Sequence, residues 1–331
     1  MTDLILRLAL NRITVLRPHE KLQVESIVDS EAFFRVLSPP LLSQIVGRTV
    51  SPLSHSPDEL LMRAEHDVRA LRRREIVALH VYDRRYPAAL REIFDPPYVL
   101  YVRGRLPDPG VPVVAVVGTR EPSAPASAAA RRLGAELASA GVPVVSGLAR
   151  GIDVAAHLGA LSAGSSGGNT GAVLACGADA VYPAGNRRVA GRILENGGFL
   201  ATEYAPGVIP QKYHFPARNR IISGLSRTVV VVQAPAKSGA LITADYALEH
   251  GRDLVVHAAG VDGAVGQGSA DLAADGALII RGASELLSEW GLTPMPRTNP
   301  VVDAGPASVG AAAADQVARV RSLLERGEES A

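Results

Sequence analysis

Five short turns in this chain pair a small residue with a cation. They are Gly118-Thr119-Arg120, Ser146-Gly147 with Arg150-Gly151, Asn186-Arg187-Arg188, Arg218-Asn219-Arg220 and Lys237-Ser238-Gly239. Glycine lets a phosphate oxygen approach backbone amides, serine and threonine add hydroxyl donors, and arginine forks onto phosphate oxygens. Tyr213 and Phe215, beside the Arg218 cluster, would offer ring faces to unstacked bases, the alternative being that Phe215 packs under the turn. The charge is local. Between Val181 and Lys237, eight cations face only Glu195 and Glu203, leaving +6 on a chain whose total is +1. A local excess of this kind is what an electrostatic groove for a nucleic-acid backbone requires.

Residue types that would support turnover are sparse. Ser146, Asp153 and His157 lie close in sequence, but no Gly-x-Ser-x-Gly elbow surrounds Ser146, and Asp153 is placed to cap a helix. Gly118-Thr119-Arg120-Glu121-Pro122-Ser123 lacks the later glycines of a dinucleotide fingerprint, and no acid ends the next strand to hold a ribose. A Walker A loop is absent. The single cysteine, Cys176, lies in an apolar run and supports neither a disulfide framework nor a cysteine-based zinc site. The residues argue for binding without a cofactor or a metal.

The elements that must carry these turns alternate strand and helix from Val111 onward. Strand signals at Val113–Val117, Val142–Val145, Ala172–Ala175 and Thr228–Val232 each precede one of the turns, and Leu254–His257 supplies a further strand. Such alternation predicts an α/β fold with a doubly wound, Rossmann-like parallel sheet covered on both faces. Open sheets of this type bind ligands beyond the carboxyl ends of their strands. Residues 1–85 read as a small helical domain, residues 86–290 as the Rossmann-like domain, and the Pro/Ala/Gly-rich 291–331 as a linker with one short helix. No run approaches the ~18 apolar residues of a membrane span. The expected setting is cytoplasmic, without a membrane partner.

Several motifs in fixed order resemble the DNA-processing protein A family, also called DprA or Smf. They are Ser146-Gly-Leu-Ala-Arg-Gly-Ile-Asp153 with His157, Tyr182-Pro183 followed by Asn186, Phe215-Pro-Ala-Arg-Asn-Arg-Ile-Ile-Ser-Gly-Leu-Ser226, and Ser238-Gly-Ala-Leu-Ile-Thr-Ala244. Tyr86-Pro87, Asp95-Pro96-Pro97 and Arg103-Gly104 match the start of the same domain, so the likeness runs from about Tyr86 to Gly260. The resemblance implies an extended Rossmann domain that binds single-stranded DNA and forms a homodimer. It also implies loading of the RecA recombinase onto incoming strands during natural transformation.

By motif, Arg120 stands at the arginine of the family's Gly-Ser-Arg turn. Arg218, Asn219 and Arg220 keep the family's wording, Lys237 is the cation before Ser-Gly, and Arg187 or Arg188 is the basic residue after Tyr-Pro. The chain departs from the family at Ala258-Ala259-Gly260, where Val-Pro-Gly is usual, and in the segment Gly266–Asp271. Two other readings of the residues are a nucleotide- or nucleotide-sugar-handling enzyme and a nucleotide sensor.

Overall fold

The computed structural model describes residues 2–164 and 170–291. The linker and short helix expected over 291–331 lie outside these apart from Gly291, as does most of the glycine-serine loop at 164–168. The first five helices are α1 (Thr2–Asn11), α2 (Pro18–Glu25), α3 (Glu31–Arg35), α4 (Pro39–Val46) and α5 (Pro57–Arg73). α5 starts where Ser56-Pro57-Asp58-Glu59 says it should: the Ser56 hydroxyl accepts from the Glu59 amide at 3.3 Å, and the Glu59 carboxylate accepts from the Ser56 amide at 2.8 Å.

β1 (Ile76–His80), α6 (Ala88–Arg91) and β2 (Val99–Gly104) follow, then β3 (Val114–Val117), α7 (Ala124–Ser139), β4 (Val144–Ser146) and α8 (Ile152–Ser162). Next come β5 (Thr170–Val173), α9 (Arg187–Glu195), β6 (Phe199–Thr202), α10 (His214–Gly224), β7 (Thr228–Val231) and α11 (Gly239–Glu249). β8 (Asp253–His257), α12 (Gln267–Ala274), β9 (Leu278–Ile280) and α13 (Ala283–Glu289) end the described chain.

Among the described residues, the nine strands form one sheet in the order β1-β2-β6-β5-β4-β3-β7-β8-β9. β6 through β9 along this order are parallel, whereas β1 pairs with β2, and β2 with β6, antiparallel. Successive residues of β3 serve opposite faces, as the two-residue period of a strand requires. Ala115 and Val117 pack with Ile221 and Ile222 of α10 and Ala244 of α11, while Val114 and Val116 pack with Ala130 and Leu133 of α7 and Ala156 of α8. From β3 the chain winds outward through β4, β5 and β6, then returns to β7 on the other side of β3. The β3–β7 boundary is therefore a topological switch point, with helices diverging above and below and a crevice open at the carboxyl ends.

The helical segment ends at Arg73, and β1, within the stretch expected to be helical through residue 85, is a strand of the sheet. Its antiparallel partner β2 also contributes Val99 and Tyr101, and the residue before it Tyr98, to the core that holds Leu8, Phe34, Leu42 and Leu61. Polar contacts reinforce this junction. Arg12 grips the buried Asp67 with two bonds of 2.6 Å and also donates to the Pro206 carbonyl. Asn11 reaches the Tyr101 hydroxyl and the Glu203 carbonyl at 3.3 and 3.4 Å.

Lys21 is buried in the same junction, its ammonium donating to the Asn11 carbonyl at 2.8 Å. Burial pulls it down to about 8, against the opposing pull of Glu203 and Asp95. A lysine whose folded value lies below its unfolded one stabilises the fold fully only above the unfolded value of 10.5, and that contribution is lost as pH falls through about 8. At neutral pH the charge costs about 3 kcal/mol, taking 1.36 kcal/mol per unit. Lys21→Met, allowing for the hydrogen bond it removes, is expected to gain about 1–3 kcal/mol at pH 7 in urea titrations, shrinking to under about half of that at pH 9.5. An equal gain at both pH values would refute the buried-charge explanation.

Candidate nucleic-acid interface

A cavity of about 360 Å³ occupies the β3–β7 crevice. Its wall includes Gly118, Thr119 and Arg120 after β3, Phe215, Arg218 and Asn219 on α10, and Ser238 and Gly239 at the start of α11. Three of the five cation-bearing turns thus converge here, contributing seven of the residues singled out in the sequence, and Phe215 is an eighth. The apolar part of the wall includes Val117, Ile222, Ala240 and Ile242, and Asp153 also lines the cavity.

Backbone close packing builds this rim. The Thr119 amide donates to the Gln233 carbonyl at 2.7 Å, and the Ile152 amide donates to the Thr119 carbonyl at 3.2 Å. A Cβ on Gly118 would lie 2.8 Å from the Gln233 carbonyl oxygen. Gly151, at φ +78°, brings the start of α8 onto the Thr119–Arg120 backbone, where a side chain would collide. On the other side, the Ser238 hydroxyl accepts from the Ala240 amide at 3.2 Å, and Asn219 donates to the Gly239 carbonyl at 3.1 Å, tying α10 to the α11 terminus.

Arg218 forms the floor. It is 4% exposed, its guanidinium donates to the Val173 carbonyl at the end of β5, and its Nε has no partner. Among the described residues no carboxylate forms an ion pair with it; Asp153 acts on it only from a distance. Burial lowers the guanidinium to about 10, with Asp153 opposing and Arg120 adding repulsion. It therefore stays charged at neutral pH, a desolvated cation facing a cavity. Arg120, on the exposed lip, lies with its guanidinium carbon 5.4 Å from the centre of the Phe215 ring.

Arg220 lies elsewhere. It is two residues on from Arg218 along α10, and its guanidinium is bidentate to Glu203 at 2.8 and 2.7 Å and reaches Asp95 at 3.3 Å. Those carboxylates hold it above its usual value although burial opposes them. This is a correction to the expectation that both arginines of the cluster face a ligand, and it removes part of the local charge excess. The Ser146–Gly147 pair is likewise committed internally. The Ser146 hydroxyl donates to the Val116 carbonyl at 2.6 Å, and the Gly147 and Ala149 amides donate to Asp153 at 3.0 and 3.2 Å. Asp153 caps the loop before its helix, so the loop's amides are already taken by a carboxyl group, which burial raises above its usual value.

His157 is buried and accepts no proton near neutrality: burial, with Arg218 nearby, pushes it down to about 3. The Thr170 hydroxyl donates to the Val144 carbonyl and so accepts from the His157 ring, both at 2.8 Å. Ser146 is thus held by the Val116 carbonyl and also bonds the Asp153 carboxyl, whereas His157 pairs with Thr170 instead of either.

Arg150 is exposed on the loop after β4, and Arg187 and Arg188 are exposed in the first turn of α9. None of the three lines the cavity. Lys237 lies on the wall of an adjoining crevice of about 510 Å³ that shares Ser238, Gly239 and Ile242 with the first. Sequence reasoning missed Glu203 and Asp95 as partners of Arg220; neither has a local spacing that would betray the pairing. It also passed over Tyr182, which is 49% exposed and meets Phe215 edge to face.

Comparison with known proteins shows the family to which the chain belongs. The sequence model of the family described as DNA recombination-mediator protein A matches residues 77–291. Protein Smf of Synechocystis sp. is 42% identical over 217 residues, 64% of this chain and 54% of that protein, so the match spans about half of that relative's length. DNA processing protein DprA of Streptococcus pneumoniae is 40% identical over 210 residues, 63% of this chain and 73% of that protein.

Among solved structures, DNA processing protein A from Streptococcus pneumoniae superposes with a TM-score of 0.67 at 32% identity, covering 85% of this chain and 95% of that one. DNA processing protein A from Helicobacter pylori, described for its single-stranded DNA binding mode, gives 0.56 at 29% identity, covering 65% and 95%. Among the described residues no helix is long and apolar enough to cross a membrane.

Proposed function

From the premise that this chain belongs to the DNA recombination-mediator protein A family, we propose that it is a non-catalytic single-stranded DNA-binding protein. In this reading it protects incoming strands, loads RecA onto them during natural transformation and recombination, and acts as a homodimer in the cytoplasm. The observation that carries the binding is Arg218: a buried cation with no ion-pair partner among the described residues, facing a cavity, is stabilised by an anion entering that cavity. Arg120 and the α11 amides at Ser238–Gly239 supply the next phosphate contacts, with Lys237 and Arg150 beyond them. A flexible single strand can thread such a crevice, whereas a duplex presents its phosphates on a rigid cylinder.

Mobility shifts with single- and double-stranded oligonucleotides at two salt concentrations test this. Three or four neutralised phosphates give a slope of log affinity against log salt of about −2 to −3. Salt-independent binding, or a preference for duplex, would sink the assignment. RecA filament assembly on the same single strands, with and without the protein, tests the loading role. The cavity also falls in the size range of small-ligand sites, ~300–1,000 Å³. A nucleotide sensor would therefore reveal itself if a mononucleotide displaced the oligonucleotide at far lower concentration than the strand itself requires.

A further inference from the structure

Beyond the cavity, the carboxyl edge of the sheet carries an aromatic side chain to which nothing above gives a role. Tyr182 follows β5 on a loop pinned at both ends. The Cys176 thiol donates to the Ala180 carbonyl at 3.5 Å, and Asn186 donates to the Leu148 carbonyl at 2.8 Å. The ring is held in place yet 49% exposed. It meets the Phe215 ring with centroids 5.6 Å apart and planes at 61°, and the same Phe215 ring receives Arg120. Cation, half-buried ring and exposed ring therefore form one connected strip leading out of the cavity.

The strip ends at charge. Arg187 and Arg188, exposed in the first turn of α9, follow Tyr182 by only a few residues. β7, β3, β4 and β5 are consecutive neighbours in the sheet. The distance from the Ser238–Gly239 junction to the one carrying Tyr182 is thus about three strand spacings, or ~14 Å. An apolar face bracketed by arginines at both ends suits a polyanion with π faces and ill suits an apolar peptide. Stacking on such a ring tolerates any base, because every base has a π face.

We propose that Tyr182 is a base-stacking residue for the strand leaving the cavity, braced edge-on by Phe215, with Arg187 and Arg188 meeting the phosphates beyond it. The assignment rests on the single-stranded DNA reading above and extends its track past the cavity wall.

The test compares the full chain with Tyr182→Ala and Tyr182→Phe on two oligonucleotides of equal length, one ordinary and one fully abasic. Tyr182→Ala should weaken the ordinary strand by between about 5- and 150-fold, leave the abasic strand within about twofold and keep the salt slope unchanged. Tyr182→Phe should bind both as the parent does. Unchanged affinity for the ordinary strand in Tyr182→Ala would overturn the proposal. So would equal losses on both strands, which would mean that the ring only shapes its loop. A parent protein that retains neither oligonucleotide removes the single-strand reading, and this assignment with it.

Discussion

Arg218→Met should yield a folded, more stable protein that no longer retains single-stranded DNA. The guanidinium is buried without an ion-pair partner among the described residues, and burial lowers it from 12.5 to about 10. At 1.36 kcal/mol per unit the cost is about 3 kcal/mol. Methionine fills similar space without a charge, at the loss of a hydrogen bond to Val173 worth about 1 kcal/mol. A net gain of roughly 1–3 kcal/mol in urea titrations is expected. Binding moves the other way, because truncating one member of a buried, charged contact costs about 2–5 kcal/mol, or roughly 30- to 4,000-fold in affinity. Opposed signs are the signature of a residue held in a strained electrostatic state for a ligand. A variant that loses stability and binding together would mark Arg218 as structural.

Arg220→Met, two residues away on the same helix, should behave in reverse. Its guanidinium closes on Glu203 and Asp95 with side chains 8%, 19% and 37% exposed, respectively. Removing one partner of a buried pair leaves the others unpaired and costs about 3–5 kcal/mol. The urea midpoint should fall steeply, while protein still folded at low temperature binds single-stranded DNA within about twofold of the parent. Adding Glu203→Leu should recover part of the loss, since apolar replacement of a whole buried pair is often neutral. Lost binding without lost stability would return Arg220 to the DNA-contacting set.

These two arginines also show where sequence reading succeeds and where it stops. Strand–turn–helix punctuation is local, so the order of β3, β4, β5 and β7 and the turns after them were legible. The convergence of Gly118–Arg120, Arg218–Asn219 and Ser238–Gly239 follows from the parallel topology those elements impose. What each side chain meets is not local. Arg218 and Arg220 share a motif and a helix, but two residues along a helix is about 200° of rotation, enough to turn one toward the cavity and the other toward Glu203. The reservation of the Gly147 amide for Asp153 depends on a turn six residues long that no composition rule describes. β1 was hidden for a similar reason: Ile76–His80 follows a long amphipathic helix, and only its pairing with β2 reveals it as a strand.

That pairing bears on how the chain can be cut. A fragment beginning at residue 86 would discard the outermost strand together with Ile76 and Leu79, baring the edge of β2 from Val99 to Arg103. It would also uncover Tyr98 and Tyr101, whose neighbours are Leu8, Phe34 and Leu61. The first eighty residues are a buttress built into the sheet. Excising them leaves a raw flank on the remainder, so the smallest unit worth isolating keeps both parts in one polypeptide.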